Sequence, residues 1–586
     1  MKVYSYKEIR DRYIEFFKER GHAEIPNSPL IPENDPTVLF VNAGMLPLVP
    51  FLKGEKHPKG NRLVNSQRCL RTGDIDLVGN TTHYTTIEML GNWSLNDYFK
   101  KEALNFTVEF FVEELGFDIQ RIYATVFEGD REISKDETSI GIWKDIFKRY
   151  GIKADVGKEK RIQTLGREDN WWGLESGGPC GPDSEIFYKN NNGELIEIGN
   201  NVFMEYLLED NKYKPLGRHN VDFGGGLERI TAIVQNVDSF YETDIFRPVL
   251  QKIKDKSKRN NIKSQRIIAD HIKASALVVM DGIKPGSTQQ SYILRRLIRR
   301  AVRHGKLLDI SKPFTRDISK VVIEQFTQIY PDLKTKKEEI LNTIEEEELR
   351  FNKTIESGLK ELEKKLENRK LIDGKEAFHL YETYGLPIEV TEEILKEKNS
   401  SIENKEDFYK AQKEHQEKSR TSSKGMFQGG LSDTSEMSTK YHTATHLLLA
   451  TLRKVLGNHI YQKGSNITPK RLRLDFPSEK KLTEQEVNEV ERIVNEIIGS
   501  GYEISYEEKP KEQALEIIRK HSGIASFTEK YGDILKIYYI GPKDNPVSVE
   551  ICNGPHVQNT KDLGVFKIIK QENVGAGIKR IKAILE

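Results

Sequence analysis

Residues 66–94, SQRCLRTGDIDLVGNTTHYTTIEMLGNWS, decide the fold of this chain. They read as an arginine-bearing strand, a polar loop and a return strand that carries Glu88. Downstream, VDFGGGLERI (221–230) runs three glycines into Arg229. Upstream, SYKEIRDRYIEFFKER (5–20) sets Ile9, Tyr13, Phe16, Phe17 and Arg20 at helical spacing, with Gly21 as a stop. A Pro- and Asn-rich loop, SPLIPENDP (28–36), follows that helix. Short mixed segments continue to about residue 245, with Trp, Gly and Pro clustered at 171–182. This predicts an α/β domain with a functional loop system.

The chemistry suited to these parts is nucleotide activation. A nucleophile attacking a phosphate of a nucleoside triphosphate needs positive charge on that phosphate and on the departing pyrophosphate. Arginine supplies both, because its planar fork pairs phosphate oxygens bidentately and stays charged. Arg71 and Arg229 come from different elements and can grip opposite ends of a triphosphate. Glycines beside Arg229 let backbone approach a nucleotide closely. A GGG run alone is more often a turn, so the order and spacing of all three features carry the reading.

The rest of the chain bounds the answer. Its 586 residues predict three to five domains. The 91 basic and 90 acidic side chains nearly cancel, so any nucleic-acid surface is a local patch. Cys69, Cys180 and Cys552 are too few and scattered for a disulfide framework, which fits a reducing compartment. The N-terminus lacks the apolar core of a secretory signal, and no apolar run is long enough to span a membrane. A soluble, cytoplasmic protein with no membrane partner is expected.

Residues 246–420 turn helical and charged, 421–440 read as a Ser/Thr/Gly-rich linker, and 441–586 return to mixed patterning. In the helical region, YILRRLIRRAVRHGK (292–306) spaces Arg295, Arg299 and Arg303 four apart, on one face. Such a face tracks phosphates without reading sequence, or lies against acidic neighbours. Near the C-terminus, HTATH (442–446) sets His442 and His446 on one helix face, and CNGPH (552–556) adds Cys552 and His556. Three imidazoles and a thiolate suit tetrahedral zinc.

Taken together, these segments resemble class II aminoacyl-tRNA synthetases, and most closely the alanyl-tRNA synthetases. The resemblance rests on FVNAGM (40–45), SQRCLRTGD (66–74), EMLGNWSLNDYF (88–99), GGPCGPDSEIFY (177–188), NNVFMEY (200–206), VDFGGGLERI (221–230), IADHIKA (268–274) and YILRRLIRRAVRHG (292–305). It implies a multidomain α+β protein. A class II antiparallel-sheet catalytic domain would occupy 1–245, a helical tRNA-recognition domain 246–420, and an α/β editing domain 441–586. It also implies an ATP-dependent ligase for alanine and tRNA(Ala), with magnesium on the phosphates and zinc in the editing site.

Carried over residue by residue, the resemblance makes Arg71, Asp222 and Arg229 the catalytic set. Arg71 would hold the α-phosphate and the alanine carboxylate, and Arg229 the far phosphates. Glu88 and Met89 would line the adenine site. Trp172, Asn200 and Asp222 would form the alanine pocket, with Asp222 pairing the ammonium. Glu185 would serve magnesium. The family commonly has Trp before the position of Asn200, where this chain has Gly199, and aromatic residues before the EML, where it has TTIEML.

The family reads a G·U wobble pair with an Asn and an Asp; Ser287 and Glu382 occupy those positions here, in PGST and YETYG. The resemblance also assigns Arg295, Arg299 and Arg303 to tRNA contact. In the editing domain, Thr445 and Gln462 match pocket-lining positions. Editing has a physical reason: an alanine pocket rejects glycine, which lacks one methyl, by only about 1–3 kcal/mol, and rejects serine weakly. A small β-barrel before HTATH and a C-terminal helical region are missing, which predicts a compact monomer without an obligate protein partner. Against the ligase stands a trans-editing deacylase with an inactive synthetase half; Arg71, Asp222 and Arg229, all present, weigh for the ligase.

Overall fold

A computed structural model describes residues 3–32, 38–173, 177–210, 212–367, 369–414, 435–478, 480–522, 534–552, 554–575 and 577–586. The chain divides into two units, Met1–Lys405 and Glu406–Glu586. The expected boundary at 245/246 falls inside the first unit. Residues 421–434 of the expected linker lie outside the described residues, and 436–440 open a helix instead.

In the first unit, helix α1 (Tyr6–Lys18) starts at a capping box in which Ser5 and Glu8 satisfy each other's backbone N–H. Its buried stripe includes Ile9, Tyr13, Phe16 and Phe17, as the spacing predicts, while Arg20 lies outside the helix and packs its guanidinium on Phe16. Nine strands follow: β1 (Ala23–Glu24), β2 (Arg62–Leu70), β3 (Thr86–Leu95), β4 (Ile122–Phe127), β5 (Ile162–Leu165), β6 (Trp171–Trp172), β7 (Gly178–Lys189), β8 (Leu195–Glu209) and β9 (Lys212–Gly226). They form one sheet in the order β1-β2-β3-β9-β8-β7-β4-β5, with β6 on the side of β7. The central pairs are antiparallel; the edge pairs β1–β2 and β4–β5 are parallel. The two strands read from residues 66–94 are β2 and β3, paired Arg62↔Ser94 through Leu70↔Thr86.

Helix α2 (Leu227–Val234) leaves β9 directly after the glycine run. Behind it come α3 (Ile262–Met280), α4 (Gln289–Leu307), α5 (Lys337–Asn352), α6 (Gly374–Tyr384) and α7 (Ile388–Glu397), with a short parallel pair β10 (Leu371–Asp373) and β11 (Ser401–Glu403).

The second unit has two sheets. Strands β12 (Gly464–Thr468), β13 (Arg471–Pro477), β17 (Phe566–Gly575) and β18 (Ile578–Leu585) pair in the order β12-β13-β18-β17. Their apolar face packs on α8 (Glu436–Leu456) and α9 (Glu484–Ser500) through Leu448, Leu472, Leu474, Val490 and Ile581. The second sheet, β14 (Ile504–Pro510), β15 (Ile534–Ile540) and β16 (Ser548–Ile551), covers α10 (Lys511–Ser522). No described helix is long and apolar enough to cross a membrane.

Candidate functional site

Side chains alternate across a strand, and residues directly opposite in an antiparallel pair share a face. Register therefore sorts the sheet of the first unit. Met89 lies opposite Gly226, Gly91 opposite Gly224, and Trp93 opposite Asp222. Asn200 also pairs with Gly224, Val202 with Asp222, and Glu185 with Asn200. All of these residues share one face. Trp172 packs into the cluster of Trp93, Val202 and Met204, which sets it on the same side. Arg71 continues the alternation of β2 two residues beyond Cys69, whose partner Ile87 is also on this face. Thus Arg71, Met89, Trp172, Asn200 and Asp222 share one side of the sheet by register and packing.

Glu88 does not join them. Its neighbours in register belong to the opposite face, where the carboxylate is buried. It accepts from Arg10 Nε at 2.7 Å, Tyr330 Oη at 2.9 Å and Tyr6 Oη at 3.1 Å. A residue next to Met89 on a strand cannot line the same pocket. Glu88 instead ties β3 to α1 and the helical layer. Glu228 accepts the backbone N–H of Glu88 at 3.0 Å and pairs with Lys273 at 3.3 Å.

Asp222 is nearly enclosed, and burial pushes its carboxyl up to about 7 against the opposing pull of the Trp93 indole N–H. Asn200 Oδ1 is buried without a hydrogen-bond partner. A carboxyl whose charged form burial disfavours, beside an orphaned carbonyl oxygen, marks a site short of a cationic donor. Met89 fills the space beside it: Gly44 N–H meets its Sδ at 3.3 Å, and a side chain at Gly224 would approach that sulfur to 3.1 Å.

At the far side, Arg229 projects from the first turn of α2 and pairs with Glu197 at 2.6 Å. Glu197 also repels Asp183 and Glu185. Burial first, then this repulsion, raises Glu185 to about 8; burial above all raises Asp183 to about 7. Both shifts mark carboxyl groups short of positive charge. Arg71 is exposed and makes no ion pair among the described residues. Glu197 and Asp183 went unnoticed in the sequence, although Asp183 and Glu185 stand two apart on a strand.

Gly199 falls on the other face from Asn200. The ring of Phe223 fills the space where its side chain would go, at 2.6 Å from a built Cβ. The Phe223 ring thus occupies the space beside Gly199 on the face away from Asn200.

The basic helix is a correction. Arg295, Arg299 and Arg303 do not present a free cationic face: Arg299 pairs with Glu347 at 2.5 Å, Arg295 with the same carboxylate at 3.8 Å, and Arg303 with Glu393 at 3.4 Å and with Glu397. Arg300 grips Glu393 at 2.9 and 3.0 Å and donates to the Ile75 carbonyl at 2.6 Å. Arg296 holds Asp76 at 2.5 Å. Helix α4 is thus a clamp on the loop that follows Arg71. Asp270 of the IADHIKA segment completes it, accepting from Thr85 N at 2.9 Å and from His271 at 2.8 Å. Ser287 is exposed just before α4, and Glu382 is exposed on α6. The rings of Tyr292 and Tyr381, 6.3 Å apart, join those two segments.

In the second unit, one turn of α8 presents His442 and His446, and the loop after β16 brings Cys552 and His556. Their four donor atoms lie within 4.8 Å of one another. His442 Nε2 is 3.2 Å from Cys552 Sγ and 3.4 Å from His446 Nε2. Those are near the edge lengths of a tetrahedron built on zinc–nitrogen bonds of about 2.0–2.1 Å and a zinc–sulfur bond of about 2.3 Å. His442 Nδ1 donates to the Pro555 carbonyl at 2.9 Å, and His556 Nδ1 meets Thr443 Oγ1 at 3.1 Å. Both contacts leave Nε2 aimed inward, and His556 Nε2 is buried without a partner. Burial lowers all three imidazoles, His442 to about 4, so they are neutral at pH 7. The quartet fits zinc. Thr445 is buried one turn along α8 with its hydroxyl on the Tyr441 carbonyl at 2.7 Å, and Gln462 donates to Ser465 at 3.2 Å.

Comparison with known proteins identifies the family. Residues 8–463 match the family model of class II (A) tRNA synthetases, and residues 535–582 match the second additional domain of threonyl and alanyl tRNA synthetases. An alanine–tRNA ligase of Treponema denticola is 46% identical over 99% of this chain and 98% of its own length. That of Treponema pallidum is 43% identical over the same shares. That of Thermotoga maritima is 34% identical over 100% of this chain and 80% of its own length. The chain therefore belongs to the class II tRNA synthetases and, within them, to the alanine–tRNA ligases.

Proposed function

We propose that the first unit activates alanine with ATP and transfers it to tRNA(Ala), and that the second unit hydrolyses seryl- and glycyl-tRNA(Ala). The observation that carries the first half is Asp222, a buried carboxylate sharing one sheet face with Asn200, Trp172 and Arg71. Asp222 pairs the alanine ammonium, Asn200 Oδ1 accepts from it, and Trp172 closes the pocket around the methyl. Arg71 holds the alanine carboxylate beside the α-phosphate. Arg229 exchanges Glu197 for the distal phosphates, and Met89 with the glycine backbone lies against adenine. Glu185 would hold magnesium, which neutralises phosphate charge when bound.

The carboxylate oxygen attacks the α-phosphorus and pyrophosphate leaves, giving alanyl-adenylate. The terminal ribose hydroxyl of tRNA then attacks the carbonyl and AMP leaves. No side chain needs to act as a base; positioning and charge carry the rate. Ser287 and Glu382, exposed on segments joined through Tyr292 and Tyr381, read the acceptor stem.

Editing rests on the quartet His442, His446, Cys552 and His556. Zinc held there would act as a Lewis acid or hold the substrate amine. Thr445 and Gln462 line the pocket. The test is charging of two tRNA transcripts with alanine, one carrying the G·U pair and one a Watson–Crick pair, together with clearance of pre-made seryl-tRNA. Charging of the first transcript alone supports the reading; charging of neither, with seryl-tRNA still cleared, overturns the ligase half.

A further inference from the structure

The hairpin that carries Arg71 closes at a neck. The Arg71 N–H donates to the Thr85 carbonyl at 2.9 Å, one residue beyond the last strand pair, Leu70↔Thr86. Arg71 is exposed, so packing does not aim its side chain; the guanidinium starts from wherever the neck is held. Thr85, the other half of that neck, is fully buried. Asp270 of α3 takes it with both carboxylate oxygens: Oδ1 accepts the Thr85 N–H at 2.9 Å, and Oδ2 accepts the Thr85 hydroxyl. Oδ2 also accepts from His271 Nδ1 at 2.8 Å. The tautomer of His271 follows from its other nitrogen. Arg300 Nη1 stands 3.0 Å from Nε2 and can only donate, so Nε2 accepts and Nδ1 carries the proton. Burial, the largest influence on this ring, holds it below its ordinary value, which agrees with a neutral imidazole. The same Arg300 nitrogen donates to the Ile75 carbonyl at 2.6 Å, and Glu393 of α7 fixes the guanidinium at 2.9 and 3.0 Å. One continuous chain of side chains thus holds the loop at its neck and again at Ile75.

Asp270, His271 and Arg300 are all buried. Such a set gives the fold little, since apolar side chains of the same volume often serve stability as well or better. What a satisfied buried polar chain supplies is a fixed geometry. We infer that Asp270, His271 and Arg300 are positioning residues for Arg71: they fix the Thr85 carbonyl and the loop beyond it, so that the guanidinium meets the α-phosphate and the alanine carboxylate together. They act through Thr85 and Ile75 rather than on substrate. This rests on the reading of Arg71 given above. Misplacing a catalytic group by about 1 Å can cost about 100-fold in rate, so a clasp on the backbone beside Arg71 is worth its burial.

The test uses the full chain and a double-mutant cycle in alanine-dependent pyrophosphate exchange. In Asp270→Asn, whichever way the amide turns, an N–H donor faces that of Thr85 or that of His271. Thr85→Val removes only the hydroxyl and leaves the backbone neck. In the wild-type background kcat/KM for alanine should fall about 30-fold in Asp270→Asn and about fivefold in Thr85→Val. In an Arg71→Gln background each change should cost less than about twofold, because no guanidinium is left to place. Single-turnover adenylate formation at high enzyme concentration reads that slow background. A role in stability alone would cost the same factor in both backgrounds, and that result overturns the inference. So does an Asp270→Asn chain within about twofold of wild type. Thr85→Val, which keeps Asp270, His271 and Arg300, carries the same cycle if Asp270→Asn does not fold. An Arg71→Gln chain that exchanges at the wild-type rate removes the reading of Arg71 itself, and the positioning role falls with it.

Discussion

Glu88 and Met89 are chain neighbours on opposite faces of the same sheet: Met89 lies over the glycine run, and Glu88 is buried behind it against Tyr6, Arg10 and Tyr330. The two were expected to act together on adenine, and the structure gives them separate work. Glu88→Ala strands the Arg10 guanidinium and two tyrosine hydroxyls, so we expect a stability loss of about 3 kcal/mol by denaturant unfolding. KM for ATP in the folded fraction should stay within about twofold. Met89→Ala should do the reverse, raising KM for ATP with little loss of stability. A large KM effect from Glu88→Ala would contradict this division.

Asp222 makes stability depend on pH in a defined sense. Its folded carboxyl, raised to about 7, holds a proton more tightly than the unfolded chain does at its ordinary value near 4. Its contribution therefore declines as pH rises from about 4 to about 7 and stays unfavourable above that. Asp222→Asn removes this cost. The variant should be more stable than wild type at pH 8, by on the order of 1 kcal/mol or more, and the difference should vanish near pH 4. Melting curves at the two pH values check this.

The arginines of α4 are expected to behave as structural ion pairs. Arg299→Gln and Arg303→Gln leave Glu347 and Glu397 short of a partner and should lower the melting temperature. The slope of log affinity for tRNA against log salt should not change, since a lost phosphate contact would shift it by about 0.7–0.9 per charge. A reduced slope would return these residues to the tRNA surface.

Metal removal separates the two units functionally. The full chain should bind one zinc ion, and Cys552→Ser should abolish that stoichiometry. Stripping with a chelator should stop clearance of seryl-tRNA and spare alanine-dependent pyrophosphate exchange. Exchange lost in step with zinc would contradict the assignment.

The helix, the two strands of residues 66–94, the glycine run and the zinc-type quartet were legible because each depends on local spacing. One helical turn sets His442 beside His446, and strand periodicity sets Arg71 with Cys69. What escaped was decided by partners far along the chain. Which face Glu88 occupies follows from the pairing of β3 with β2 and β9, not from its own segment. Arg299 and Arg300 look like a solvated basic stripe until α5 and α7 bring Glu347 and Glu393 from 48 and 93 residues away. Gly199, where the family commonly has Trp, lies by alternation on the face away from Asn200, where Phe223 fills the gap.

The most direct test of the central claim is alanine-dependent ATP–pyrophosphate exchange in the wild-type chain and in Asp222→Asn. The account predicts exchange with alanine in the wild type and a fall in kcat/KM for alanine of at least about 100-fold in the variant, with ATP binding retained, because a buried ammonium loses its charge partner. Exchange that survives in Asp222→Asn at near wild-type kcat/KM would contradict it.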